Sequence, residues 1–189
     1  MITVNRNKNI FKGVFCMFKN LVNGLNESVK VIKGAYTLGK KGGFGNYINS
    51  LKLTYDMKHD DGFIVVTDDT IVYGSGFTGA CTTMLQFGNW FHSELVPVIF
   101  LTEEFASLAP TVKEYIIMHE KGHHELGHMS NGGMKKRDIA KEIEADLYAV
   151  SKLGKDAVIA AMTSFGQNNL HGKGKREMKK RIQAIKDRA

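Results

Sequence analysis

Four of the seven histidines in this chain fall within ten residues, in the stretch Met118–His128, MHEKGHHELGH. It holds H-E-x-x-H twice, once from His119 and Glu120 to His123 and once from His124 and Glu125 to His128. On a helix, side chains four apart leave nearly the same face, so two imidazoles at that spacing can bind one Zn²⁺. The glutamate after the first histidine can then act as general base on a water at the metal. One ion cannot use both copies this way.

Helical phase separates them. At about 100° per residue, His119 and His123 share a stripe with Val112, Tyr115, Ile116 and Leu126. His124 and His128 lie about 140–180° from His119, beside Lys113, Ile117 and Lys121. The core-facing pair is therefore the expected metal pair, with Glu120 as base, and His124 with His128 is the alternative. A catalytic zinc commonly takes a third protein ligand and keeps one position open. Glu142-Ile143-Glu144-Ala145-Asp146 supplies candidates on a following helix. Its apolar stripe is Ile139, Ile143, Leu147 and Val150, and Glu142 and Asp146 lie on the edge of that stripe. Glu144 points about 140° away from Ile139, toward solvent, and is the weaker candidate. Glu142 is the expected third ligand. Asp146 suits orienting a ligand histidine by accepting its other N–H.

Apolar residues before H-E-x-G-H, a nearby Gly-His, and E-x-E-A-D-x-x-A on a following helix resemble the gluzincin-type zinc metallopeptidases. Two branches are most similar: the ImmA/IrrE-like family of small peptidases and the membrane-anchored endopeptidases that include HtpX. The resemblance implies His119, His123 and Glu142 as ligands of one Zn²⁺ and Glu120 as base. The ending Arg176-Glu177-Met178-Lys179-Lys180-Arg181-Ile182 also resembles the C-terminal helix of the membrane-anchored branch. The likeness spans residues 97–189. The metzincin pattern fails by one position at each end, because Gly127 falls one residue late and His128 one residue early, so His128 is only an alternative third ligand. His171, ahead of the basic final helix, could stabilise an oxyanion.

These residues need helices to carry them. The sequence predicts helices over 111–127, 135–153, 155–164 and 175–187, with Ser130-Asn131-Gly132-Gly133 as a stop between the first two. Residues 9–38 read as one or two amphipathic helices, whose stripe includes Ile10, Val14, Phe18, Leu21 and Leu25. Gly34, Gly39, Gly42, Gly43 and Gly45 read as a connector. Residues 63–73 read as a hairpin turning at Thr67-Asp68-Asp69-Thr70, and Pro97–Leu101 as a strand whose edge could hold an extended substrate. The expected architecture is α+β: a zincin-like domain with a small mixed sheet packed on the active-site helix and a second, glutamate-bearing helix. It would occupy 46–189, after a helical N-terminal region at 1–45.

The chain has 189 residues, 26 Lys+Arg and 19 Asp+Glu, a formal net charge of +7. That length can bury a single core without disulfides. Two cysteines, Cys16 and Cys81, exclude a disulfide scaffold and an all-cysteine metal site. Residues 1–58 hold 10 Lys/Arg against 2 Asp/Glu, 59–133 hold 2 against 10, and 134–189 hold 14 against 7. Basic flanks around an acidic middle fit a solvated surface, or docking to an acidic partner, better than a nucleic-acid face. No apolar run reaches the roughly 18–20 residues of a membrane span, and no signal-peptide pattern occurs, so a soluble cytoplasmic protein is expected.

Other patterns carry less. Gly74-Ser75-Gly76-Phe77-Thr78-Gly79 matches G-x-G-x-x-G but lacks the acidic residue about 20 positions on, and reads as a loop at the end of the hairpin. Asp60-Asp61 and Asp68-Asp69 lack calcium-loop spacing, and His59 and His92 stand alone. The expectation is a zinc-dependent peptidase, an endopeptidase rather than an exopeptidase, acting on a protein or peptide substrate. The rivals are an inactive metal-stabilised binding module and a basic nucleic-acid-associated protein.

Overall fold

The computed structural model describes residues 26, 28–53, 57–58, 62–75, 77–88, 93–128 and 138–188. The amphipathic stripe up to Leu25, Cys16, His59, Asp60-Asp61, His92 and the Ser130–Gly133 stop lie outside them.

The centre is a continuous apolar run. Val96, Val98, Ile99, Phe100 and Leu101 are all buried, the signature of a strand covered on both faces. They belong to β3 (Ser93–Leu101), which lies between β1 (Ile64–Thr67) and β2 (Ala80–Gly88). The sheet is mixed. β1 runs parallel to β3 with Ile64 opposite Val98, and β2 runs antiparallel with Cys81 opposite Phe100. Side chains alternate between two cores. Ile99 and Leu101 join Val112, Tyr115, Ile116, Ala149, Met162 and Ile185 on one face. Val96, Val98 and Phe100 join Leu38, Ile71 and Val72 on the other.

Eight helices surround this sheet among the described residues. Residues 28–40 form α1, followed by α2 (Phe44–Ser50), α3 (Asp69–Gly74) and α4 (Glu103–Ala106). Then come α5 (Pro110–Glu125), α6 (Ile139–Leu153), α7 (Lys155–Asn168) and α8 (Gly172–Arg188). The boundaries follow local chemistry. Pro110 opens α5, Asp138 caps α6 by accepting from the Ala140 amide, and Gly154 stops α6 at a φ of 87°. None of the described helices is long and apolar enough to cross a membrane.

Three local expectations change. Residues 63–73 are not a hairpin: β1 ends at Thr67, and the Asp68 carboxylate accepts the Ile71 amide at 2.7 Å to start α3. The cap and the complete burial of Ile71 and Val72 outweigh the strand preference of these β-branched residues. Gly74 accordingly ends a helix and not a strand. Gly34 is a buried position inside α1, not part of a connector. The strand at 97–101 is present, but as the middle strand, hydrogen-bonded on both sides. Its edge is not available to a substrate.

Candidate metal centre

Helix α5 packs on the sheet and α6 packs across α5, and their crossing sets the geometry. At the crossing stands Gly122, inside the first H-E-x-x-H. A Cβ there would sit 2.9 Å from the Ala145 carbonyl oxygen and 3.0 Å from the Ala145 Cα and Tyr148 Cβ. Only glycine lets the two backbones approach so closely. The approach brings the histidines of α5 against the carboxylates of α6.

Three donor atoms converge. His119 Nε2 and His123 Nε2 are 3.2 Å apart. The Glu142 oxygens lie 3.5 Å from His119 Nε2 and 3.7 Å from His123 Nε2. A tetrahedral ion with bonds of about 2.0–2.2 Å holds its ligand atoms about 3.3–3.6 Å apart. Two imidazoles and one carboxylate, offering one ligand atom each within 4.8 Å of one another, form a donor set that could hold a metal ion.

Behind it lies a buried network. Asp146 is fully buried, and its Oδ1 receives three donors: His119 Nδ1 at 2.9 Å, the Tyr115 hydroxyl at 2.9 Å and Arg181 Nη2 at 2.6 Å. Its Oδ2 accepts Arg181 Nε at 2.7 Å. Arg181, from α8, also reaches Glu142 through Nη1 at 3.1 Å and donates to the Tyr115 oxygen at 3.1 Å. The 3.3 Å approach of Arg181 Nη2 to His119 Nδ1 follows from both donating to one oxygen. With Nδ1–H given to Asp146, His119 turns Nε2 toward the donor triangle.

Burial pushes His119 down, but hydrogen bonds to Asp146 and Glu142 outweigh it and hold the imidazole up at about 9. His123 is pushed down to about 4 by burial and by the neighbouring His119. Burial would raise Asp146, yet hydrogen bonds from Arg181 and His119 override it and hold the carboxyl at about 2. Burial also raises the Tyr115 hydroxyl, which therefore stays protonated as a donor.

The remaining sequence candidates are not among the three converging residues. Glu120 is half-buried, and its charge adds to the burial that pushes the Cys81 thiol on β2 up to about 12. His124 packs edge-on against Phe63 with ring centroids 5.3 Å apart. Lys121, expected on the outer side, is buried with its ammonium 5.0 Å from the Phe63 ring centre. His128 is not in the converging triangle. Its Nδ1 lies 3.1 Å from His123 Nδ1 and its Nε2 lies 2.9 Å from Glu144. Glu144 is exposed as expected, yet it has this partner. His171 is exposed just before α8.

Sequence reasoning missed Arg181 and the hydroxyl of Tyr115. One signal was there: Met178, Arg181 and Ile185 are spaced i, i+3, i+7, and all three are buried.

Comparison of the chain with protein-family models, curated proteins and solved structures finds no match.

Proposed function

We propose that this protein is a zinc-dependent peptidase of zincin-like architecture, with His119, His123 and Glu142 as metal ligands and Glu120 as general base. The observation that carries the reading is the convergence of three side chains: the two Nε2 atoms are 3.2 Å apart, Glu142 Oε2 is 3.5 Å from His119 Nε2, and Glu142 Oε1 is 3.7 Å from His123 Nε2. A bound Zn²⁺ would supply Lewis acidity to the scissile carbonyl and lower the pKa of water toward about 7. Glu120 follows His119 on the helix and takes the proton of the attacking water, then delivers it to the departing amine. Asp146 fixes the His119 ring, and Arg181 places its positive charge against the Asp146 and Glu142 carboxylates. A metal held by these three residues would be one that commonly keeps a position for water or substrate.

The topology supports β2 rather than β3 as the strand that would pair with a substrate. Among the described residues β2 pairs on one side only, with β3, and packs against α5. An extended peptide can add to its outer edge through main-chain hydrogen bonds. This favours an endopeptidase, because such pairing does not require a chain end.

Glu120→Gln tests the chemistry. It removes the base but none of the ligands. The variant is expected to keep its metal and lose cleavage of a quenched fluorescent peptide library by at least about 100-fold. Cleavage at the wild-type rate would exclude Glu120 as the base.

A further inference from the structure

The second H-E-x-x-H is not redundant. We propose that Glu144 and His128 form a relay that fixes the tautomer of His123, so that its Nε2 lone pair faces the metal. This rests on the metal centre proposed above and deepens it by naming two positioning residues outside the ligand set.

The argument runs along the hydrogen bonds from the surface inward. An ionised carboxylate can only accept. The 2.9 Å contact between Glu144 Oε2 and His128 Nε2 therefore places the His128 proton on Nε2. A neutral imidazole carries one proton, so His128 Nδ1 is an acceptor. His123 Nδ1, 3.1 Å from it, must then be the donor. With its proton on Nδ1, His123 leaves Nε2 bare, pointing at His119 Nε2 and Glu142. His119 has its Nδ1 proton fixed in one step, by Asp146. Each ligand histidine thus has its own carboxylate, direct for His119 and through a third imidazole for His123.

The chain is built to place His128 there. Extended helical phase would put it on the far side from His119. Helix α5 stops at Glu125, however, and Gly127 adopts a φ of 65°, the left-handed conformation that suits glycine at a helix end. The His128 amide then donates to the His123 carbonyl at 2.9 Å, and the Gly127 amide to the His124 carbonyl at 3.0 Å. These two bonds fold the chain back by one turn and set the His128 ring beside the His123 ring. The His128 side chain is only 6% exposed, so its two nitrogens need partners, and both have them.

Zn²⁺ affinity of the full chain, measured by competition with a chromophoric chelator, tests the relay. His128→Leu fills the space but cannot accept a proton, and is expected to bind Zn²⁺ about 10–100-fold more weakly. His128→Gln restores an acceptor oxygen and is expected to recover most of that loss. Glu144→Ala alters an exposed side chain, so folding is not at stake, and is expected to weaken binding in the same direction. The imidazole ¹⁵N shifts of His123 should report Nδ1–H in the wild type and a mixture of tautomers in His128→Leu. Wild-type affinity in both His128→Leu and Glu144→Ala overturns the relay and leaves the metal centre standing. A wild-type chain that binds no Zn²⁺ overturns the metal centre and the relay with it.

Discussion

The Arg181 guanidinium grips the Asp146 carboxylate through two hydrogen bonds, Nε to Oδ2 at 2.7 Å and Nη2 to Oδ1 at 2.6 Å, with both side chains buried. It joins α8 to α6 and, through the shared Oδ1, to His119 on α5. A paired fork of this kind is specific to arginine. Removing it leaves the buried Asp146 without its cation and takes the Arg181 contact from the half-buried Glu142. Arg181→Leu is expected to cost about 3–5 kcal/mol of stability, and Arg181→Lys less, because one ammonium cannot serve both Asp146 oxygens. Urea unfolding of the metal-free chain measures both. A loss under about 1 kcal/mol for Arg181→Leu would show that the network is not structurally required.

Gly122 makes a different prediction, from packing. Its missing Cβ is what admits Ala145 and Tyr148 of α6. Gly122→Ala must separate the two backbones, at a cost of about 1–3 kcal/mol. Because the ligands lie on the two separated helices, Zn²⁺ affinity should fall with stability. An alanine substitution at an exposed α5 position such as Glu114→Ala should leave affinity unchanged. Equal affinity in Gly122→Ala and the wild type would mean the crossing does not set the ligand triangle.

How far the site was legible follows from what helical phase can see. His119, His123, Glu142 and Asp146 lie on two regular helices, and their faces could be read from spacing alone. Arg181 could not be singled out so easily. It sits among many lysines and arginines in Gly172–Arg188, and its partner is 35 positions away in sequence. Its inward phase with Met178 and Ile185 was the usable sign. His128 was placed on the wrong side because phase was extended past a helix that ends at Glu125, and the left-handed turn at Gly127 returns it to His123. Asp68 misled in the same local way. Read as a turn residue between strands, it is a helix cap, and the Ile71–Tyr73 segment after it is helical. The central position of β3 was implicit in its unbroken apolar run, but the pairing order depends on contacts far apart in sequence.

The pH dependence of binding follows from His119. Without metal it holds a proton up to about 9, above the usual 6.5. That raised value stabilises the metal-free fold fully below pH 6.5 and is lost as the pH rises through about 9. An ion needs Nε2 deprotonated, so metal and proton compete. Zn²⁺ affinity should rise about tenfold per pH unit between about 6.5 and 9, since His123, at about 4, is already neutral there. Calorimetry at pH 7 in buffers of different ionisation enthalpy should find about one proton released per ion. No proton release would place His119 outside the coordination sphere.

At the acid end, Asp146 sets a separate limit. Its carboxyl is held at about 2, below the usual 3.8, so its contribution is present above pH 3.8 and is lost as the pH falls toward 2. Asp146→Asn should remove this acid step from the stability profile while lowering stability at pH 7. An unchanged acid limb in Asp146→Asn would contradict the network.

The central claim is that His119, His123 and Glu142 form a metal centre. The most direct measurement is the metal content of the full chain, purified without chelator and analysed by mass spectrometry of the elements. The triangle of donors predicts about one zinc per chain in the wild type and close to none in His123→Ala. A wild-type protein without metal, or a His123→Ala variant that retains the same amount, would contradict it.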